Sequence, residues 1–291
     1  MKIADRIEDV GKCVLIGQFP SGSPEWLEQR ESGIGGSEIA SILNLSPYKS
    51  AVTLFYEKLG LLEPPPATMP MRLGNLLEPA IIEAFRQEYP TITVWHENLT
   101  FASLENPRFR ANPDAIIEDQ AGNLSILEIK HTGQYWTELP LHYKYQVLWY
   151  QYVTGLTNPA TLYAVTGGSV RAFSVEYDET LMEVVKVAVT AFCALLDAEQ
   201  PPTYDGSDST YQTIRELSPG IRDEEIELSM GFELLAAKQM FDAAEKNLQK
   251  YKSMALDEMD GARVGLANGV PIVMLQSRGE GTPYITFTKG N

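Results

Sequence analysis

Cysteine and histidine are scarce in this 291-residue chain, and long apolar runs are missing altogether. The two cysteines, Cys13 and Cys193, are far apart and match no metal-ligand spacing, which excludes a thiolate-held zinc or iron–sulfur framework. Both are expected to be reduced, buried apolar groups of a cytoplasmic protein. His96 and His142 are not spaced as ligands and are expected to be structural. No apolar stretch is long enough to cross a bilayer. The opening MKIADRIEDVGKCVLIGQF has neither the apolar length nor the small-residue cleavage site of a signal peptide. Basic charge is also short: 23 Lys and Arg stand against 39 Asp and Glu, a net charge of −16. Phosphate neutralisation by Lys and Arg supplies most non-specific nucleic-acid affinity, so the balance argues against a protein that coats DNA. An enzyme holding DNA in one lined cleft escapes that argument, because metal ions and a local basic groove can coexist with an acidic exterior. What is present, 44% hydrophobic and 21% charged residues, is the composition of an ordinary soluble protein able to bury its own core.

Ser23-Pro24-Glu25 reads as an N-cap followed by proline in the first turn, opening a helix that Gly33, Gly35 and Gly36 end. Ser37 reads as the cap of a second helix, and a third is expected near residues 51–60. After the proline-rich LEPPPATMP, apolar residues at helical spacing (Leu73, Leu77, Ile81, Phe85) place Glu78 in mid-helix. TITVWHE, FRANPDAII and LSILEIKH read as strands, the last two joined by the turn Gln120-Ala121-Gly122-Asn123. Residues 134–154 read as an aromatic-rich helix, ATLYAVT and VRAFSVEY as strands about a Gly167-Gly168 turn, and residues 178–198 as another helix. Together they predict an α/β core, a short mixed sheet flanked by helices, over residues 1–204. After Pro201-Pro202 the pattern changes. Met230, Leu234, Ala237, Phe241, Ala244, Leu248, Tyr251 and Ala255 step alternately by four and three, a heptad seam. Asn268-Gly269 marks a type I′ hairpin, with PYITFT as a third strand. Residues 205–291 are therefore expected to be a C-terminal extension, a long helix plus a β-hairpin, for assembly or partner binding.

The sharpest local chemistry is Pro113-Asp114 followed by Glu128-Ile129-Lys130. In a strand, Glu128 and Lys130 point to one side and Ile129 to the other. A charged pair on an otherwise apolar strand needs a reason, because burying unpaired charge is costly. With Asp114 at the end of the preceding strand, two carboxylates can converge beside an ammonium group, a hard-oxygen site suited to Mg²⁺ or Mn²⁺. Such a site fits phosphodiester hydrolysis, with Lys130 orienting a water or, if its pKa is depressed, taking its proton. Glu78 can complete the shell of a second ion. The bland alternative is a surface ion pair with Asp114 as a turn residue, and spacing alone leaves both open.

The series RESGIGGSEIASILNLSPYKSAVTLFYEKLG, LGNLLEP, NPDAIIEDQAGNLSILEIK and QVLWY, in that order, resembles the lambda-type phage exonucleases, the YqaJ-like viral recombinases. The resemblance covers roughly residues 24–198 and implies a restriction-endonuclease-like fold of the PD-(D/E)xK kind. It implies a catalytic metal centre of Glu78, Asp114, Glu128 and Lys130, with the Ile129 carbonyl as a further ligand and two Mg²⁺ ions per site, Mn²⁺ substituting. It puts Gln146 and Tyr150, one helical turn apart, beside that centre, and Arg30 and Ser37 on the 5′-terminal phosphate. Free N–H groups where Ser37 follows a glycine turn would favour an anion. Tyr48 and Lys49 are candidate DNA contacts at the cleft entrance. The implied activity is 5′-to-3′ resection of linear double-stranded DNA, leaving 3′ tails for a single-strand annealing partner. A ring-shaped homotrimer, no membrane association and a phage or prophage gene expressed in a bacterial cytoplasm are implied with it. Two departures stand out: Ala115 where glycine usually follows the aspartate, and His131 where a small residue usually follows the lysine. Two other readings remain: a structure-selective endonuclease on the same core, and a non-catalytic recombination scaffold acting through the C-terminal extension.

Overall fold

A computed structural model describes residues 2–63, 65–166 and 168–288. The chain begins α1 (Ile3–Glu8), β1 (Cys13–Gln18), α2 (Pro24–Ser32), α3 (Gly36–Ile42), α4 (Ala51–Lys58) and α5 (Met69–Glu88). Four short strands follow, β2 (Thr93–Trp95), β3 (Leu99–Ser103), β4 (Arg110–Ala111) and β5 (Ala115–Glu118), and then the long β6 (Leu124–Thr132). After it come α6 (Leu141–Thr154), β7 (Ala160–Thr166), β8 (Ser169–Val175), α7 (Glu179–Asp197) and α8 (Asp208–Leu217).

β6 is the middle of a five-stranded sheet of order β2-β5-β6-β7-β8, parallel to β7 while every other pair is antiparallel. The expected mixed sheet between helices is thus present. β6 is covered on both faces, which explains its near-continuous apolar run. Leu127 and Ile129 pack with Ile81, Ile82 and Phe85 of α5. Ile126 joins the larger core with Val147, Leu148, Trp149 and Val153 of α6. Each fully buried side chain of this size contributes about 1.5–3 kcal/mol. The helical seam predicted for α5 is real, but burial begins only near Leu77, and Leu73 is exposed.

Several expectations need correcting. FRANPDAII is not one strand. Pro113 has no N–H to give a ladder, and the chain breaks there into β4, in a second sheet of order β1-β3-β4, and β5, in the main sheet. Asp114 therefore sits where the chain passes from one sheet to the other. The helix expected over 134–154 starts only at Leu141, after the N-cap Pro140. α1, β1, β3 and α8 were not foreseen. Gly168 has φ 85, as a turn glycine should, while its partner Gly167 lies outside the described residues.

The chain separates into two compact units at Pro219/Gly220, later than the boundary after residue 204 read from the sequence. The reason is α8, which docks on α4: Thr53 Oγ1 lies 2.7 Å from both Ser209 Oγ and Thr213 Oγ1, and the Ser50 amide donates to Ser209 Oγ at 3.1 Å. The second unit holds α9 (Gly231–Met259) and a sheet of β9 (Val264–Ala267), β10 (Val270–Gln276) and β11 (Tyr284–Phe287), ordered β11-β10-β9. Asn268 and Gly269 both have positive φ, 49 and 81, as a type I′ turn requires. The heptad residues Leu234, Phe241, Leu248 and Tyr251 are all exposed. Among the described residues, no helix is long and apolar enough to cross a membrane.

Ending the chain at Pro219 should leave the urea midpoint of the first unit unchanged. Ending it at Tyr204 removes the hydroxyl contacts of α8 and should lower stability by about 2–4 kcal/mol, at roughly 1 per bond. An unchanged midpoint for the shorter chain would place α8 outside the folding unit.

Candidate active site

Alternation along β6 sends Glu128 and Lys130 to the α6 side, opposite Leu127, Ile129 and His131. Glu128 is only 1% exposed and the Lys130 side chain 19%. The Lys130 ammonium donates to Glu128 Oε1, which also accepts from Gln146 Nε2 at 2.6 Å. Gln146 Nε2 is in turn 3.0 Å from the Tyr150 hydroxyl, so the two residues one turn apart on α6 do share a face and a bond. Asp114 Oδ2 accepts from the Ile129 amide at 2.7 Å, which fixes it beside the same strand. Glu128 Oε2 is buried without a hydrogen-bond partner among the described residues.

The electrostatics follow from that crowding. Burial pushes the Asp114 carboxyl well above its ordinary range, and the nearby charges of Glu128 and Glu78 add to it, against Lys130 and the Ile129 N–H. Burial also raises Glu128, with Lys130 opposing. For Lys130 burial acts downward, but Glu128 and Asp114 outweigh it and the ammonium is pushed up. With no cation on the carboxylates, the two acids thus favour the charged form of Lys130. Glu78, in α5, turns its Oε1 to His96 Nε2 at 3.2 Å. Among the described residues no three Asp, Glu, His or Cys side chains are drawn together closely enough to form an ion cage. The donor set nevertheless fits a hard cation, because Glu128 Oε2 is a buried carboxylate oxygen without a hydrogen-bond partner among the described residues, with the Asp114 and Glu78 carboxylates close enough to act on the site.

A second cluster lies at the start of α3. Arg30 Nη2 is 3.2 Å from Ser37 Oγ and 3.4 Å from Glu38 Oε1, and its guanidinium rests 4.7 Å from the Trp26 ring centroid. Ser37 is not the N-cap. Gly35 is, and Glu38 reaches back to accept its amide at 2.8 Å. Lys58 sits 2.8 Å from Glu38 Oε1 and donates to the Gly33 carbonyl at 2.6 Å. The two clusters are neighbours because of Gly36: a Cβ there would fall 2.6 Å from the Tyr150 ring and 2.9 Å from the Gln146 carbonyl. Only glycine lets α3 come this close to α6.

Tyr48 is 74% exposed and meets His142 edge-on at 5.7 Å. Lys49 is bound instead to Glu57 of α4. His142 packs at 4.1 Å on Tyr143, and the Lys130 ammonium lies 5.2 Å from the Tyr143 ring centroid. Three residues missed from the sequence thus touch the site: His96, Tyr143 and Glu38. Tyr143 had a signal, since it lies three residues before Gln146 and hence on the same helix face. His96 had none, because its contact depends on how α5 lies against β2.

Residues 25–157 match the family model described as the YqaJ-like viral recombinase domain. The protein YqaJ of Bacillus subtilis (strain 168), itself uncharacterized, is 28% identical over 239 residues, spanning 78% of this chain and 71% of that one. A crystal structure of LHK-Exo in complex with dAMP superposes with a TM-score of 0.51 at 20% identity, over 61% of this chain and 94% of that one. A second structure of LHK-Exo, an alkaline exonuclease from Laribacter hongkongensis, gives 0.47 at 19% identity over 67% and 97%. The resemblance carried by the four motifs and the restriction-endonuclease-like fold are both borne out.

Burial acts to raise Glu38, but Lys58, Arg30 and the Gly35 amide more than reverse it, so its folded pKa lies below the ordinary 4.5. The stability it contributes is complete above that value and is lost as pH falls through the depressed folded value. Glu38→Ala should cost about 3–5 kcal/mol at pH 7, by leaving Lys58 buried and unpaired. It should also flatten the loss of stability below about pH 4.5. Equal acid slopes for the two proteins in denaturant titrations would remove Glu38 from that linkage.

Proposed function

We propose that this chain is a divalent-metal-dependent deoxyribonuclease that resects linear double-stranded DNA in the 5′-to-3′ direction, leaving 3′ single-stranded tails for recombination by annealing. The observation that carries this reading is the buried Glu128 beside the half-buried Asp114 and hydrogen-bonded to Lys130, with Glu128 Oε2 left without a partner among the described residues. Asp114, Glu128 and the Ile129 carbonyl would hold the ion, and Glu78, released from His96, would serve a second. Mg²⁺ suits this oxygen-only set and Mn²⁺ should replace it. When bound, such an ion supplies Lewis acidity for phosphodiester hydrolysis.

The chain's own groups do the rest. Lys130, held as an ammonium by Glu128, presents donors and a fixed charge to the scissile phosphate and the attacking water. Gln146 takes up Glu128 Oε1, which leaves Oε2 for an ion, and Tyr150 fixes Gln146. Arg30 and Ser37 would grip a terminal 5′-phosphate, a bidentate guanidinium contact being well matched to it. Because α3 lies against Tyr150, phosphate grip and cutting centre would share one wall. A ring of three chains, with DNA passing through it, would reconcile an acidic exterior with DNA binding. The second unit is assigned to assembly or to an annealing partner.

Incubated with Mg²⁺, the protein should degrade linear duplex DNA, faster with a 5′-phosphate than with a 5′-hydroxyl, and should spare a closed circle. Glu128→Ala and Lys130→Ala, checked for folding by circular dichroism, should each lose about 10²–10³-fold or more in rate. Cutting of the circle would convert the assignment to an endonuclease. Inactivity with both Mg²⁺ and Mn²⁺ would end the nuclease reading.

A further inference from the structure

Beside the acidic centre runs an aromatic ladder that the proposed chemistry leaves unused. It begins at Lys130, whose ammonium faces the Tyr143 ring, and Tyr143 is backed by Trp136 at 5.1 Å. His142 lies on Tyr143, and Tyr48 closes the series edge-on to His142 with an interplanar angle of 90°. Exposure rises along the series: Trp136 is 8% exposed, Tyr143 and His142 are half-buried, and Tyr48 is 74% exposed. The turn that carries Tyr48 is pinned, because Ser46 Oγ accepts the amides of both Tyr48 and Lys49 at 3.2 Å and Lys49 is tied to Glu57. His142 Nε2 is buried and unpartnered among the described groups.

A tyrosine about three quarters exposed, on a pinned turn and in T-shaped contact with a second ring, has the properties of a stacking platform. The faces of nucleobases stack on such rings regardless of sequence. The ladder leads from that ring to the lysine that would face the scissile phosphate, so an occupant of the ring would belong to the strand being cut. We propose that Tyr48, supported by His142, is a shelf on which an unpaired nucleobase near the duplex end stacks as its strand enters the acidic centre. This rests on the nuclease reading above. It extends that reading by naming what recognises the base, and it requires no base-edge hydrogen bonds.

The test uses the full chain with Ca²⁺ in place of Mg²⁺ and a blunt duplex carrying 2-aminopurine at the terminal or penultimate position of either strand. Wild-type protein should quench the 2-aminopurine fluorescence of one of these probes. Tyr48→Ala should abolish the quench and Tyr48→Phe should restore it. Tyr48→Ala should also weaken end binding by about 5- to 100-fold, as loss of one aromatic–base stack does. An abasic nucleotide at the same position should erase that difference. Quenching that survives in Tyr48→Ala, loss in Tyr48→Phe equal to that in Tyr48→Ala, or an equal binding loss on abasic DNA would overturn the shelf. Cleavage by the wild type in Mg²⁺ without a Tyr48-dependent quench overturns the shelf and leaves the nuclease standing. A Tyr48-dependent quench without cleavage in either Mg²⁺ or Mn²⁺ does the reverse, and failure to bind any duplex end overturns both.

Discussion

Glu128 is a carboxylate at 1% exposure in the middle of the central strand, and the surrounding architecture is arranged around that fact. A carboxyl group so buried is tolerated only when other groups answer it. Lys130 comes from two residues along the same strand, on the same face. Gln146 comes from α6, which must lie across the sheet for its amide to reach. α6 is held there by Trp149, whose indole N–H donates to the Arg110 carbonyl at 3.0 Å while its ring packs on Phe109. α3 follows because Gly36 allows it to rest on Tyr150. What is not answered is Glu128 Oε2, and the natural complement of that oxygen is a hard cation.

The distribution of charge around this point is economical. Lys130 is committed to Glu128, Lys58 to Glu38 and Lys49 to Glu57. Arg30 is shared between Ser37 and Glu38. These four cations are each already engaged, in a chain that carries −16. Bound cations, local geometry and stacking are routes to polyanion affinity that do not need a basic exterior. The acidic centre, the Arg30–Ser37 cluster and the exposed ring of Tyr48 each suit one of those routes.

Much of the chain was legible as pattern. The alternation in LSILEIKH gave the facing of Glu128 and Lys130, the spacing of Gln146 and Tyr150 gave their common face, and Asn268-Gly269 gave a turn with two positive φ values. Errors fell where an outcome depended on a competitor not visible locally. Ser37 lost the capping position because Glu38 could reach the Gly35 amide while also meeting Lys58. The helix expected from residue 134 was shortened because Pro140 begins it. α8 was overlooked because its hold on the first unit is three hydroxyl contacts with α4, more than 150 residues away in sequence.

Periodicity, turn chemistry and the identity of the acidic residues are properties of short stretches, and the sequence by itself determined them: which residues carry charge, which of them share a strand or helix face, and where the chain must turn. Which charges meet was decided only by the tertiary structure. Asp114 finds the Ile129 amide because Pro113 ends one strand and β5 pairs with β6. Glu78 finds His96 because α5 lies against the sheet edge. Lys130 is biased toward its charged form by Asp114, brought beside β6 by strand pairing, as well as by Glu128. Strand pairing and burial set these contacts, and both are sums over residues distant along the chain.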